Sequence, residues 1–229
     1  MKLSVIMPAY NEEASIREII KKVQAVKIDK EIIIVDDGST DKTREILTEL
    51  SKKNKEMKVV FHKKNGGKST AVRTGIEHAT GDIIIIQDAD LEYDPEDYYK
   101  LVEPIVSGKA KVVYGSRFYT KDKRPSLRNK YFWGTRTLTI MANVLYGAGI
   151  TDEPTCYKVF DAKVLKSIPL KSKRFEFCPE VTAKVRKRGY KIHELPINYY
   201  PRTVEEGKKI NWKDGVEAVW TLIKYRFVD

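Results

Sequence analysis

Two short stretches end a run of branched aliphatic residues in carboxylates: IIIVDDGSTD from Ile32 to Asp41, and IIIIQDADLEYDP from Ile83 to Pro95. Residues two apart in an extended segment point the same way, so Asp88 and Asp90 can both face one divalent cation. Hard oxygen ligands suit Mg2+ or Mn2+, which completes its shell with phosphate oxygens and water. An acidic turn is the plain alternative, because aspartate favours turns. The position directly after four isoleucines favours a site. Asp36 and Asp37 allow two compatible roles. One is an Asx turn with Ser39 or Asp41 capping the next helix; the other is a carboxylate that accepts hydrogen bonds from a nucleotide's base or ribose.

Strands must deliver these carboxylates. Aliphatic runs this short suit strands buried on both faces, as in a parallel sheet, whose carboxyl ends are where open α/β sheets bind ligands. Strand patterns cover Lys2–Met7, Glu31–Asp36, Lys58–Phe61, Asp82–Ile86 and Val112–Tyr114. Helical patterns lie between them: Glu12–Val26, with Ile16, Ile19, Ile20, Val23 and Val26 at helical spacing, Asp41–Lys52, a helix after the glycine turn of KKNGGKS, and one begun near Pro95. This alternation implies βαβ crossovers and an α/β fold with a mostly parallel central sheet flanked by helices. After Gly115 the pattern predicts a polar, mobile loop over Arg117–Ser126 and a helix over Leu127–Leu145. A short strand over Tyr157–Phe160, a helix over Glu176–Arg188 and a strand over Lys191–Tyr199 follow. The tail adds a basic loop and an amphipathic helix with Val216, Val219, Trp220 and Ile223 on one face.

The chain has 229 residues, 41% apolar and 33% charged, which supports one large folded domain and excludes disorder. No stretch approaches the roughly 20 apolar residues that span a bilayer. Met1–Asn11 lacks the basic and apolar regions of a signal peptide, so the expected location is cytoplasmic, with peripheral contact at the membrane's cytoplasmic face as its extension. Cys156 and Cys178 have no CxxC spacing or histidine cluster and read as packing residues, not a zinc site or a disulfide. The net charge of +11 calls for a polyanion, an anionic membrane or phosphorylated substrates. GGKS at Gly66–Ser69 lacks the first glycine of a Walker loop and no GxGxxG follows the first strand, which speaks against an NTPase or a dinucleotide enzyme. The basic residues form no aromatic-studded stripe, so a nucleic-acid binder is the weaker alternative. A nucleotidyltransferase, which would release pyrophosphate, is a third.

VIMPAYNEE, IIIVDDGSTD, NGGKSTAVRTGIEHATGD and IIQDADLEYDPED, in this order and spacing, resemble the nucleotide-binding half of family 2 glycosyltransferases with the GT-A fold. GSRF, TDEPTCYKVF, FEFCPEVTAKVRKRGYKIHELPINYYPR and EEGKKINWKDG resemble the dolichyl-phosphate mannose synthase branch of that family. The resemblance covers nearly the whole chain. It implies a GT-A catalytic domain over 1–200, with a nucleotide-binding half over 1–115 and an acceptor half over 116–200, and an appended basic loop and helix over 201–229. The implied reaction is inverting transfer of a mannose- or glucose-type sugar from a GDP- or UDP-sugar to a polyprenyl phosphate, with Mg2+ or Mn2+ as cofactor and a membrane or membrane protein as partner. A sugar hydroxyl acceptor in polysaccharide synthesis is the alternative.

The resemblance also implies roles. Pro8, Tyr10, Glu12 and Asp37 would hold the nucleoside, with Asn65, Gly67 and Lys68 near the same pocket. Asp88 would meet ribose or metal, and Asp90 the metal; Glu92, where many relatives carry glutamine, adds a third carboxylate to that metal set. Arg117 and Arg128 would face the acceptor phosphate, and Arg202 with Lys208 would close over the donor diphosphate. Asp90, Arg117, Asp152 and Arg202 form the implied catalytic set. A general base is needed only for a hydroxyl acceptor; Asp152 leads Glu153 and Glu180 as candidates. For Glu180 the alternative is an i,i+4 ion pair with Lys184, worth about 0.3–0.5 kcal/mol. Cys156 stands where the family commonly has glycine. The terminal helix either lies in a membrane interface or docks its apolar stripe on the domain, and docking is the favoured reading.

Overall fold

Unbroken aliphatic runs need cover on both faces, and β1 (Leu3–Ala9) and β4 (Ile83–Ile86) receive it: every residue of both is buried. A fully buried isoleucine contributes about 1.5–3 kcal/mol relative to an exposed one, so these strands anchor the core. The structure, a computed structural model, describes residues 1–119, 130–202 and 212–228. Arg128, Lys208, most of the Arg117–Ser126 loop and the basic loop of the tail lie outside the described residues.

Seven described strands form one sheet. Besides β1 and β4 they are β2 (Lys30–Asp36), β3 (Met57–Phe61), β5 (Val112–Ser116), β6 (Lys158–Asp161) and β7 (Ile192–Pro196), in the order β3-β2-β1-β4-β6-β5-β7. All pairings are parallel except the two that β6 makes, with β4 and β5. The two halves of the chain therefore share one sheet. Register sets the working edge. Ile6 lies opposite both Ile33 and Ile86, and Ala9 opposite Asp36, so the residues just past β1, β2 and β4 emerge together. Antiparallel β6 starts where β5 ends, which brings Asp152–Cys156 to the same edge; β7 ends there too, with Ser116 opposite Pro196.

The helices are α1 (Ile16–Ala25), α2 (Thr43–Lys53), α3 (Lys68–His78), α4 (Tyr98–Val106), α5 (Lys130–Tyr146), α6 (Ala162–Lys166), α7 (Phe177–Lys187) and α8 (Trp212–Phe227). The short α6 was not legible in the sequence pattern. The first helix starts at Ile16, not Glu12. Residues 11–13 instead pin the loop after β1 to the loop after β2: Asn11 N donates to Ser39 Oγ (3.0 Å), Glu12 N to Thr43 Oγ1 (2.8 Å) and Glu13 N to Asp41 Oδ2 (3.1 Å). Asn11 turns the chain with a φ of 50°, in the left-handed region that asparagine tolerates. Asp41 also accepts the Thr43 amide in an Asx turn at the start of α2, whose cap position is Lys42, not Asp41 or Ser39.

Of the α8 stripe expected to dock, only Val219 packs against the core. Val216 and Trp220 are 58% and 62% exposed, while Ala218, Leu222 and Tyr225 are buried with Asp214 and Thr221. The helix has two apolar faces, and the one with the smaller residues fits against α5 and α7. There Tyr146 donates its hydroxyl to the Leu222 carbonyl, and the Lys184 ammonium sits 4.3 Å from the centre of the Tyr225 ring. Lys184 also pairs with Glu180 at 2.7 Å with both side chains almost fully buried. Glu180 in addition accepts the Lys171 and Ser172 amides. The i,i+4 pair is therefore real, but it is a buried latch and not the weak surface pair its spacing suggested.

Candidate functional site

A cleft of about 590 Å3 opens at the carboxyl edge of β1, β2 and β4. Its walls bring together Pro8, Tyr10, Glu12, Asp37, Lys68, Asp88, Asp90, Glu92 and Arg202, with Asn65 and Gly67 between them. Arg117, Asp152, Glu153 and Glu180 do not line it.

On one wall, the two aspartates that end β2 part company. Asp36 is fully buried and held by Arg44 through Nε (3.0 Å) and Nη2 (2.7 Å), a fold contact. Asp37 turns to the cleft and accepts the Gly66 amide (3.0 Å), the Gly67 amide (2.7 Å) and His62 Nδ1 (2.7 Å). Gly67 has a φ of +91°, and a Cβ there would fall 2.5 Å from the Lys173 carbonyl oxygen, so only glycine fits. The first amides of α3 are already bonded: Ser69 N to the Arg174 carbonyl (2.7 Å) and Thr70 N to that of Lys173 (3.0 Å). GGKS is thus no phosphate cradle. Its bonds to residues 173–174 carry Arg174 and Phe175 into the cleft wall, two lining residues that sequence reasoning missed. The Ser69–Arg174 bond spans 105 positions, and no local pattern announces it.

The facing wall is acidic, and Asp88, Asp90 and Glu12 each meet a cation. Lys68 Nζ lies 2.5 Å from Asp88 Oδ1. Burial alone would raise Asp88, but this ammonium holds its carboxyl below the usual range. Arg202 spans Asp90 Oδ2 (2.7 Å) and Glu12 Oε2 (3.1 Å), and its backbone amide donates to Glu92 Oε1 (2.8 Å). Glu92 also accepts from Tyr199 Oη at 3.2 Å. Burial first, and then the charges of Asp88 and Glu92, push Asp90 up to about 7.

The expected metal trio of Asp88, Asp90 and Glu92 is not gathered: Asp88 pairs with Lys68, while Asp90 and Glu92 bond the side chain and the backbone amide of Arg202. Among the described residues no group of three Asp, Glu, His or Cys side chains surrounds one point. The donor chemistry still fits a hard divalent cation. Asp90 is a buried oxygen donor crowded by like charge, and Mg2+ is habitually held by one or two carboxylates plus substrate phosphates.

Behind the cleft, Asp152 grips Arg117. Oδ2 accepts from Arg117 Nε (2.7 Å) and from its backbone amide (2.9 Å), and Oδ1 from Nη2 (2.7 Å). With both oxygens committed and the residue fully buried, Asp152 is no free general base. Glu153 is buried as well; burial pushes its carboxyl up, and Oε2 has no partner among the described residues. Glu180 is taken by Lys184. None of the three base candidates reaches the cleft. The Arg117 guanidinium lies 5.0 Å from the centre of the Tyr199 ring, whose hydroxyl meets Glu92 and so links the fork to the cleft. Glu194, on β7, fixes the fork from below: it accepts Thr151 N (2.8 Å), Thr151 Oγ1 (2.7 Å) and Asp152 N (3.0 Å). A single acid within a strand pattern carries no sign of that role. Cys156 and Cys178 are free thiols; burial pushes both up, in keeping with packing.

The Glycosyl transferase family 2 model matches residues 4–168. The chain is 31% identical to the UDP-N-acetylglucosamine--dolichyl-phosphate N-acetylglucosaminyltransferase of Methanococcus voltae, over 96% of this chain and 94% of that protein. It is 30% identical to the dolichyl-phosphate beta-glucosyltransferase ALG5A of Trichomonas vaginalis, over 97% of this chain and 72% of that one. It is 32% identical to the low-salt glycan biosynthesis hexosyltransferase Agl6 of Haloferax volcanii, of which it spans about half, 53%. Among solved structures it superposes with a TM-score of 0.75 on glucosyl-3-phosphoglycerate synthase from Mycobacterium tuberculosis, crystallised with Mn2+, UDP and phosphoglyceric acid; identity is 20%, covering all of this chain and 79% of that one.

Proposed function

The chain belongs to glycosyl transferase family 2, and from that premise we propose that it moves a hexosyl unit, with inversion, from a nucleoside diphosphate sugar to a polyprenyl phosphate. The observation that carries the acceptor is the Arg117–Asp152 fork. A hydroxyl acceptor needs a base within reach of its proton, and Asp152, Glu153 and Glu180 are all committed or buried away from the cleft. A phosphate oxygen is already anionic and needs no base. The dolichyl-phosphate acceptors in the names of the Methanococcus and Trichomonas relatives support the same choice.

In this reading the acceptor oxygen attacks the anomeric carbon from the face opposite the diphosphate. The carbon–oxygen bond to the diphosphate breaks, and the nucleoside diphosphate leaves. Arg202 and Lys68, already in the cleft, neutralise charge as it gathers on the leaving oxygens. Asp90, with Asp88 beside it, would hold Mg2+ or Mn2+, which when bound supplies Lewis-acid neutralisation of the diphosphate. Arg202 then exchanges Asp90 for phosphate. Pro8, Tyr10, Glu12 and Asp37 hold the nucleoside.

The neighbouring helices α5 and α8 supply an approach to the lipid. Trp133, Ile140 and Val144 on one and Trp212, Val216 and Trp220 on the other are exposed, with Arg136, Lys213 and Lys224 exposed on the same helices. Tryptophan beside cationic residues suits an anionic membrane interface. No helix among the described residues is long and apolar enough to cross a membrane, and the contact proposed is peripheral. The test is a transfer assay with labelled UDP- or GDP-hexose, Mn2+ and either a short polyprenyl phosphate or an oligosaccharide. Label in the lipid phosphate, with nucleoside diphosphate released in equal amount and inverted anomeric configuration, is the expected result. Transfer to the oligosaccharide alone, or release of pyrophosphate, would refute the proposal.

A further inference from the structure

The hydrogen bonds of Asp37 bear on which base the donor carries. A carboxylate offers about four lone-pair positions, two on each oxygen. Asp37 Oδ1 has both filled, by His62 Nδ1 (2.7 Å) and Gly66 N (3.0 Å), and Oδ2 has one filled, by Gly67 N (2.7 Å). Among the described residues one position remains, on Oδ2. The partners are also fixed in place. Gly67 is locked between its left-handed φ and the Lys173 carbonyl, and the residues after it are tied to the 173–174 segment through Ser69 N, Ser69 Oγ and Thr70 N. His62 is held at its far side too, with Nε2 3.1 Å from Thr74 Oγ1.

This count separates two kinds of base. Guanine presents N1–H and N2–H side by side, a fork that takes one oxygen of a carboxylate each. The consecutive amides of Gly66 and Gly67 already take the two oxygens of Asp37 in that manner. Uracil presents one N–H between two carbonyl acceptors and needs a single lone pair. Resting on the donor reading above, we infer that the nucleoside of the donor is of the uracil type and that His62, by filling Oδ1, sets that choice. His62 is a specificity-determining residue that acts through Asp37.

The experiment is calorimetric titration of UDP and of GDP, each with Mn2+, into the full chain and into His62→Leu. The wild type binds UDP at least about tenfold more tightly than GDP, the factor that one missing hydrogen bond of the guanine fork is worth. His62→Leu frees a position on Oδ1 and narrows the ratio by several-fold, mainly through tighter GDP. GDP bound as tightly as UDP by the wild type overturns the inference, and so does an unchanged ratio in a variant that still binds UDP. If the variant does not fold, the wild-type ratio decides. Failure of a folded wild type to bind either nucleotide overturns the donor reading itself.

Discussion

Asp90 is 6% exposed, with Asp88 two residues before it and Glu92 two residues after; Arg202 at 2.7 Å and the Lys68 beside Asp88 offset that negative charge in part. Its pKa near 7 stands about three above the ordinary aspartate value of 3.8. At 1.36 kcal/mol for each, the ionised carboxylate costs the folded chain at most about 4 kcal/mol. Below pH 3.8 the group is protonated whether folded or not, and the cost is absent. It grows as pH rises and is complete once pH passes 7. Asp90→Asn keeps the side chain's size and removes the charge. Arg202 then loses one partner and retains Glu12 at 3.1 Å, which returns part of the gain. The variant is expected to be more stable than wild type at pH 8 by about 1–3 kcal/mol, a rise in Tm of several degrees for a chain of this size. At pH 5 less than half of that remains, because wild-type Asp90 is by then largely protonated. Thermal unfolding in EDTA from pH 5 to 8 measures both numbers, and titration of UDP with Mn2+ into the same variant should show donor binding lost. A variant less stable than wild type at pH 8, or a gain independent of pH, would refute the reasoning.

Glu194→Gln replaces an acceptor of three donors from Thr151 and Asp152 with an amide that meets them partly donor to donor. The KM for polyprenyl phosphate should rise about five- to tenfold with UDP affinity unchanged by calorimetry; equal loss on both substrates would count against a role on the Arg117 side. Lys184→Met leaves Glu180 ionised in the core and should cost about 3–5 kcal/mol in urea unfolding, whereas a loss under 1 kcal/mol would mean the pair behaves as a surface one. Trp133→Glu combined with Trp220→Glu should abolish flotation with anionic vesicles and leave transfer to a short, water-soluble polyprenyl phosphate intact. Unchanged flotation would remove α5 and α8 from the proposed membrane contact.

The edge that carries the cleft was legible because its logic is local. An aliphatic run must be covered on both faces, a parallel sheet provides that cover, and the polar residues that end the run emerge at the sheet's carboxyl edge. Pro8, Tyr10, Asp37 and Asp88 each lie within two residues of the end of β1, β2 or β4, and Asp90 lies four past the end of β4; the strand pattern placed the aspartates at this edge, and the family resemblance added Pro8 and Tyr10. What each group would be bonded to was not legible. Asp152 and Arg117 are 35 positions apart, Asp152 and Glu194 are 42, and Asp90 and Arg202 are 112. Those pairings turned a candidate base into a clamp and a candidate metal ligand into half of an ion pair. Sequence pattern pointed to Val216, Val219, Trp220 and Ile223 as the docking face of α8, and only the packing against α5 and α7 decided that Ala218, Leu222 and Tyr225 are buried. Periodicity reports which residues must leave water. The charge that neutralises a buried carboxylate is chosen by whatever the folded chain carries within about 3 Å of it, and that distance exists only after the sheet has brought remote strands to one edge.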